Sequence, residues 1–461
     1  MGKNDIRQIV FDKYGSREQL IQQGIWRGEI YSNRLLNDSS RGWLWKTIVL
    51  HGDVIDEVND STFNDQMIAN SLVPVPIITR DNENVPIVDN AEDITVLKKK
   101  TKGIRRLTPM QVDEHPLHIN NNDYEAGNER NEQNTQKRAN AEDDEGITMT
   151  LSDTLDIIDL DLSRLLLDPI FQENKIHLQL RQILYNYMLI LQKNDDNNNN
   201  TIVKINKNYQ QGFHELLGLI YLQLYNDSTK KNEITMMNNV LNIYIKLMRQ
   251  IVPTFYTRSA LLNWESSKFE PILKICSSKL YEKLYLTNNS FSNLIWLIRW
   301  TRLIFIRELP MDYVLIIWDH ILTFQYPIDT FIICLVVTLL LNIFEDLVKE
   351  FDEDDEADEL IEKLLHFKTA AGTKLISCVE ICKIAGNLCE LYSCENFEDM
   401  KCICDTFVRV RIGHEKFEKL NTLKDTSNNK NSKNSTIDPN RKRLEILLKA
   451  RVKKLTTSFK R

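Results

Sequence analysis

Residues 296–310 read WLIRWTRLIFIRELP, and VLIIWD follows at residues 314–319. The first stretch is apolar on nearly every side of a helix, so we expect that helix to be buried. A residue that precedes a proline avoids the α conformation, so the pattern predicts that this helix ends at Pro310. Buried tryptophans and charged residues on such helices are mainly structural. We assign that role to Arg299, Trp300, Arg302, Trp318 and Asp319.

Composition agrees with a helical core. The 461 residues are 42% hydrophobic and 27% charged, and they include only 14 glycines and 11 prolines. Those proportions suit a globular domain but disfavour a turn-rich β fold. The sequence therefore predicts an all-α protein, with one large helical domain and linkers.

Several classes of protein are excluded. A net charge of −7 is mild, so no nucleic-acid partner is predicted. The N-terminus lacks the apolar core of a signal peptide, and Ile6 stands where a myristoylation motif has Ser or Thr. The most apolar segment, residues 331–341, has 11 residues, whereas a membrane span needs about 20. We expect it to be a buried helix.

The eight cysteines do not form a metal-binding pattern. None makes a CxxC pair, and no histidine pair lies nearby at zinc-finger spacing, so no metal site is predicted. Cys378, Cys382 and Cys389 recur on one face of a helix, which is typical of small core residues. Without a secretory signal, we expect reduced thiols.

The chain divides into four parts. Residues 1–85 form an N-terminal part of the main domain, and residues 86–146 form a polar insertion that we expect to be largely disordered. Residues 147–412 form the helical core, and residues 413–461 form a polar linker and a basic tail. Within the core, residues 194–200 (NDDNNNN) predict a loop, and the acidic residues 350–359 predict a solvated surface segment.

The tail, residues 441–461, holds nine Lys and Arg against Glu445 alone, and its leucines recur at near-helical spacing. A basic amphipathic helix of this kind can rest on anionic lipid. The alternative is a solvated terminal helix or a contact with a partner protein.

Two stretches carry candidate chemistry. Residues 158–164 read IDLDLSR, an IxxDxxR pattern in which Asp161 and Arg164 share a helix face, so the carboxylate can hold the guanidinium. Read alone, this is a common surface ion pair.

Residues 209–217 read YQQGFHELL, in which Gly212 permits close backbone approach and leaves Gln211 at a helix N-terminus. The alternative is a polar helix start without a role. A zinc-protease interpretation fails, because Gly218 stands where a second histidine is required.

The order and spacing of these motifs resemble the TBC-domain Rab GTPase-activating proteins. The family has IxxDxxR, then YxQG about 45 residues later, then a Trp/Arg helix before a proline and a Trp-Asp pair. Residues 41–46 (RGWLWK) are similar to the family's opening motif through Arg41 and Trp45. The resemblance covers roughly residues 20–410. Its details are similar to a fungal, endosome-and-Golgi sub-branch that acts on Rab-six or Rab-seven type GTPases. Leu165 instead of Thr, Phe213 instead of Met and the long insertion depart from the family pattern.

The resemblance implies a two-lobed helical domain that stimulates GTP hydrolysis by a Rab/Ypt GTPase in vesicle traffic. It implies that Arg164, oriented by Asp161, stabilises the transferring phosphoryl group and that Gln211 positions the attacking water. Tyr209 and Gly212 would shape the glutamine loop. The chain has no GxxxxGK(S/T) phosphate loop, so GTP and Mg²⁺ would be carried by the partner, bound in its GTP form, and no cofactor is expected. A cytoplasmic protein at the periphery of Golgi or endosomal membranes is expected.

Two other functions stay open. A TBC scaffold could bind a Rab or a trafficking complex without accelerating hydrolysis, although the presence of both Arg164 and Gln211 favours an active protein. An unrelated helical adaptor could carry these motifs by chance.

Overall fold

Helices form every regular element in the part of the chain that the computed structural model describes. That part comprises residues 13–34, 38–50, 72–76, 151–196, 209–227, 232–286, 293–349 and 356–422, and none of these residues lies in a strand. The predicted all-α class is confirmed. The predictions for the insertion 86–146, the linker after residue 422 and the basic tail 441–461 lie outside the described residues.

Short helical turns at Arg17–Gln19, Leu20–Trp26 and Glu29–Arg34 precede the longer helices. We number the α-helices that follow α1 Asp38–Leu50, α2 Leu151–Ser163, α3 Asn174–Asp196, α4 Phe213–Asp227, α5 Glu233–Phe255, α6 Arg258–Trp264, α7 Glu270–Cys276, α8 Ser278–Tyr281, α9 Leu294–Arg302, α10 Met311–Ile321, α11 Ile328–Asn342, α12 Phe344–Val348, α13 Glu356–Leu365, α14 Phe367–Ala371, α15 Cys378–Ser393, α16 Phe397–Ile412 and α17 His414–Thr422. The chain divides into two compact units, one containing Met1–Val75 and Thr154–Arg461, the other Pro76–Asp153.

The central helix α11 contains the most apolar segment of the sequence. Every residue from Thr330 to Asn342 is buried, and α11 packs against α5, α15 and α16. Burying each Leu, Ile or Val side chain stabilises the fold by roughly 1.5–3 kcal/mol before entropy is counted. The prediction of a buried helix is confirmed, and none of the described helices is long and apolar enough to cross a bilayer. The predicted core positions of Cys378, Cys382 and Cys389 are also confirmed, since all three are buried on α15.

The predicted helix end at Pro310 is wrong. Helix α9 ends at Arg302, and the chain then turns through Ile304 and Phe305, whose φ angles are 45° and 64°. Left-handed backbone at a branched or bulky residue is costly. Both side chains are fully buried, and the Trp318 indole N–H donates to the Ile304 carbonyl at 3.2 Å, which offsets that cost. Pro310 caps the start of α10 instead, where its fixed φ is suitable.

Two predicted surface segments are partly helical. Residues 194–196 of the predicted loop belong to the last turn of α3, and residues 356–359 of the acidic segment begin α13. An exposed terminal turn needs no apolar residue, so a polar run can continue a helix. The remaining residues, 197–200 and 350–355, lie outside the described part of the chain.

A buried carboxylate joins the N-terminal region to α10. Asp319 accepts hydrogen bonds from Arg41 Nε at 3.1 Å, Trp45 Nε1 at 2.7 Å and the Tyr31 hydroxyl at 3.2 Å. Burial raises the pKa of Asp319, and Arg41 and the other donors oppose that rise. The Trp45 ring stacks on Trp318 at 5.9 Å. These contacts give Arg41, Trp45, Trp318 and Asp319 a structural role, because removing one partner would strand a buried charge.

Helix α9 is fixed by its polar side chains. Arg299 forms an ion pair with Glu308, whose burial raises its pKa to about 7. The Trp300 indole donates to the Leu364 carbonyl at 3.1 Å. Arg302 Nε donates to the Phe255 carbonyl at 3.1 Å. The roles of Arg299, Trp300 and Arg302 in this structure are therefore packing and anchoring.

We expect the free energy of unfolding to fall in acid because of His320. This imidazole is fully buried on α10, and burial lowers its pKa to about 4. As pH falls from 6.5 to 4, the unfolded chain binds a proton that the folded chain does not, so the free energy of unfolding should fall by up to about 3 kcal/mol. Urea unfolding at pH 7 and pH 5 should show a smaller pH difference in His320→Asn than in the wild type. The exposed His414→Asn is the control, and equal pH differences in His320→Asn and wild type would contradict the assignment.

Candidate functional site

Arg164 lies in a turn directly after α2. Helix α2 buries Leu155, Ile158 and Leu162 and ends at Ser163, and the backbone N–H of Arg164 donates to the Asp161 carbonyl at 3.1 Å. The Arg164 side chain is exposed. Within the described residues its guanidinium makes no ion pair or hydrogen bond, which leaves a cation pointing away from the core.

The predicted ion pair between Asp161 and Arg164 is wrong. The helix stops one residue too early to keep Arg164 on the face of Asp161, and the Asp161 carboxylate is buried. Its Oδ2 atom instead accepts a hydrogen bond from the Tyr209 hydroxyl at 2.8 Å. Any influence of Asp161 on Arg164 therefore passes through the backbone of the turn.

The residue after Arg164 anchors this turn. Leu165 is buried, and its Cδ2 atom would lie 2.9 Å from a Cβ placed on Gly218 of α4. A glycine at position 218 thus allows the turn after α2 to approach α4 closely. A leucine in place of threonine is explained by this apolar contact.

Gln211 lies in the turn that enters α4. Its side chain is exposed, and the next residue, Gly212, has a φ of +100°. A Cβ at Gly212 would meet Leu303 Cδ2 at 3.0 Å, so both the backbone and the space require glycine. The Gly212 carbonyl accepts hydrogen bonds from the first turn of α4. Phe213, in place of methionine, is fully buried and packs edge-on against Tyr256 at 4.9 Å.

Tyr209 connects the segment of Gln211 with the segment of Arg164. Its ring packs edge-on against Phe213 at 5.8 Å, and its hydroxyl reaches Asp161. Burial and the Asp161 carboxylate raise the pKa of Tyr209, so the phenol keeps its proton. The structure therefore brings the two predicted catalytic segments together through one hydrogen bond.

Three further residues extend this contact, and the sequence interpretation gave them no role. The Tyr209 hydroxyl also lies 2.8 Å from His214 Nδ1. Next to it, Glu215 accepts two hydrogen bonds from Arg307, Nε to Oε2 at 3.0 Å and Nη2 to Oε1 at 2.5 Å. The sequence feature that could have indicated them is the polar pair His214-Glu215 at the start of an otherwise apolar helix. An arginine, Arg307, is present far along the chain to pair with the glutamate.

No group of three or more His, Cys, Asp or Glu side chains among the described residues is arranged to hold a metal ion. The chemistry that these residues offer is an exposed guanidinium and an exposed carboxamide on two turns that the hydrogen bond between Tyr209 and Asp161 links.

This chain is similar to one family model and to a solved structure. A family model described as the Rab-GTPase-TBC domain matches residues 114–348, just over half of the 461 residues. Among solved structures, the chain is similar to the Ypt/Rab-GAP domain of Gyp1p, with 17% identity and a TM-score of 0.42 over 52% of this chain and 74% of that chain. No curated protein matches the sequence.

Proposed function

The chain belongs to the Rab-GTPase-TBC domain family, and we propose on that premise that it stimulates GTP hydrolysis by a Rab or Ypt GTPase in its GTP form. The family implies a Rab GTPase partner and GTPase-activating activity. The side chains that act are proposed to be Arg164 and Gln211, supplied in trans.

Arg164 fits the role of the arginine finger. The charge that develops on the transferring phosphoryl group is poorly stabilised in a Rab alone, and an arginine from a partner can raise the rate by about 10³ to 10⁵. Because the Arg164 guanidinium is exposed and makes no contact within the described residues, its insertion into the GTPase would break no internal ion pair.

Gln211 fits the role of a water-positioning group. Its carboxamide carries both a donor and an acceptor, so it can orient a water for attack. The turn at Gly212 presents it outward from the N-terminus of α4. GTP and Mg²⁺ would be carried by the partner, and this chain would contribute no cofactor.

The observation that carries the proposal is the 2.8 Å hydrogen bond between Tyr209 and Asp161. It ties the loop of Gln211 to the helix end that presents Arg164, so the two segments are held in a fixed relation. Holding reacting groups in position before the reaction can lower the activation free energy by several kcal/mol.

A single-turnover GTPase assay across a Rab panel tests the proposal. We expect strong stimulation of a Golgi or late-endosome Rab, the Rab-six type first and the Rab-seven type second. A chain that binds GTP-loaded Rabs but accelerates hydrolysis by none of them would be the non-catalytic scaffold.

We propose that the basic tail brings the protein to Golgi or endosomal membranes. Residues 441–461 lie outside the described part of the chain, and their net charge of about +8 could contribute about 1 kcal/mol per charge near an anionic surface, less as salt rises. The full chain should co-sediment with vesicles containing phosphatidylserine at low salt, and a chain lacking residues 441–461 should not. Neutral vesicles are the control. Equal sedimentation of the two chains would contradict membrane recruitment by the tail.

A further inference from the structure

The hydroxyl of Tyr209 lies between two polar groups and has one proton to give. Asp161 Oδ2 and His214 Nδ1 are each 2.8 Å from it, and they lie 3.5 Å from each other. An ionised carboxylate can only accept a hydrogen bond, so the phenol proton goes to Asp161. Two lone pairs would repel each other at 2.8 Å, so His214 Nδ1 carries a proton and donates it to the phenol oxygen, which is nearer to it than Asp161 Oδ2 at 3.5 Å.

This requirement determines the tautomer of His214. The imidazole is buried, and burial lowers its pKa, so it carries one proton at neutral pH. With that proton on Nδ1, Nε2 has only a lone pair. Nε2 lies 3.9 Å from Glu215 Oε1, beyond hydrogen-bonding distance, as expected when two acceptors face each other.

The surroundings of His214 keep this arrangement. Glu215 is held away from the imidazole by its two hydrogen bonds to Arg307. The Tyr209 ring packs edge-on against Phe213 at 5.8 Å, which limits the rotation of the phenol. Hydrogen-bond directions are thus set within two neighbouring groups, Asp161–Tyr209–His214 and Glu215–Arg307.

We propose that His214 is a positioning residue that, through its Nδ1–H, directs the Tyr209 hydroxyl to Asp161 and so holds the Gln211 loop against the turn that carries Arg164. This inference rests on the proposed GTPase-activating function and names a residue that touches neither nucleotide nor water. Loss of the Nδ1–H would leave the phenol able to turn, and Gln211 would then be less well placed for the transition state.

Kinetics on the Rab that the wild type stimulates test the role. His214→Leu, which has no donor, should lower kcat by about tenfold with KM within about twofold, since one net hydrogen bond is lost. His214→Asn can place its amide N–H near the position of Nδ1 and should restore most of kcat. Tyr209→Phe should lower kcat about as much as His214→Leu does. The double variant, with both Tyr209→Phe and His214→Leu, should lower kcat no further than either single change. Leu and Asn variants with equal kcat, or fully additive losses, would overturn the proposal.

The tautomer can be measured without any GTPase. In ¹⁵N-histidine-labelled protein at neutral pH, the His214 signals, identified by their absence in His214→Asn, should show a protonated Nδ1 and an unprotonated Nε2. A proton on Nε2 would overturn the inference even if the wild type is an activator. If the wild type stimulates no Rab while Nδ1 is protonated, the proposed function fails and the hydrogen-bond assignment stands.

Discussion

Arg164→Lys is expected to abolish nearly all stimulation of GTP hydrolysis by the preferred Rab. The planar guanidinium can donate two parallel hydrogen bonds to phosphate oxygens. The lysine ammonium is a compact point charge that cannot form this paired contact. The loss should approach the full contribution of an arginine finger, about 10³-fold or more. Single-turnover hydrolysis by the Rab with saturating wild-type or variant protein measures it, and Arg164→Ala should lose at least as much.

The structure predicts that this loss is separate from folding. Because the Arg164 side chain is exposed and without a contact among the described residues, unfolding free energies of the Lys and Ala variants should lie within about 0.5 kcal/mol of wild type. The matched control is Arg258→Lys, an exposed arginine at the start of α6, which should keep full activity. Near-wild-type stimulation by Arg164→Lys would remove Arg164 from the catalytic role.

The second large effect is expected on the substrate side. If Gln211 replaces the glutamine of the GTPase, a Rab whose own catalytic glutamine is changed to Leu or Ala should still be stimulated appreciably by the wild-type chain. A protein that acts through its arginine alone would need the glutamine of the Rab to orient the water and would lose nearly all effect. The two mechanisms therefore diverge on one Rab variant.

The matching change in this chain is Gln211→Ala. It should lower hydrolysis of the unmodified Rab about a hundredfold or more, while binding to a complex with a non-hydrolysable GTP analogue falls only modestly. Binding and catalysis separate because a positioned water matters mainly in the transition state. The neighbouring Gln210→Ala is the control, since its backbone carbonyl supports the turn and its side chain is not assigned a role. Full activity of Gln211→Ala would reduce Gln211 to a polar helix start.

Much of the fold can be predicted from apolar periodicity. The run at residues 331–341 becomes the buried helix α11, and the cysteines spaced along one face of α15 are buried. Periodicity failed at helix ends. The proline at position 310 predicts the end of α9, but the chain leaves the helix eight residues earlier because Ile304 and Phe305 are buried in left-handed turns. That choice depends on contacts with Trp318, which a local pattern does not contain.

In the candidate site, too, local sequence predicts some features and tertiary contacts decide the others. The motifs at residues 158–164 and 209–217 determine which side chains are available, namely a guanidinium beside a helix end and a carboxamide before Gly212. Three-residue spacing suggested that Asp161 holds Arg164, but spacing describes an uninterrupted helix, and α2 ends at Ser163. The partner of Asp161 is Tyr209, 48 residues away in sequence.

The sequence by itself thus determined the helical class, the family and the two side chains that are proposed to act, because these follow from residue type and from the order and spacing of the motifs. Only the tertiary structure decided that Arg164 makes no contact among the described residues, that Asp161 accepts from Tyr209, that His214 lies against the same hydroxyl and that Glu215 binds Arg307. The reason is physical: a buried polar group must find a hydrogen-bond partner, and that partner is whichever donor the tertiary fold brings within hydrogen-bonding distance.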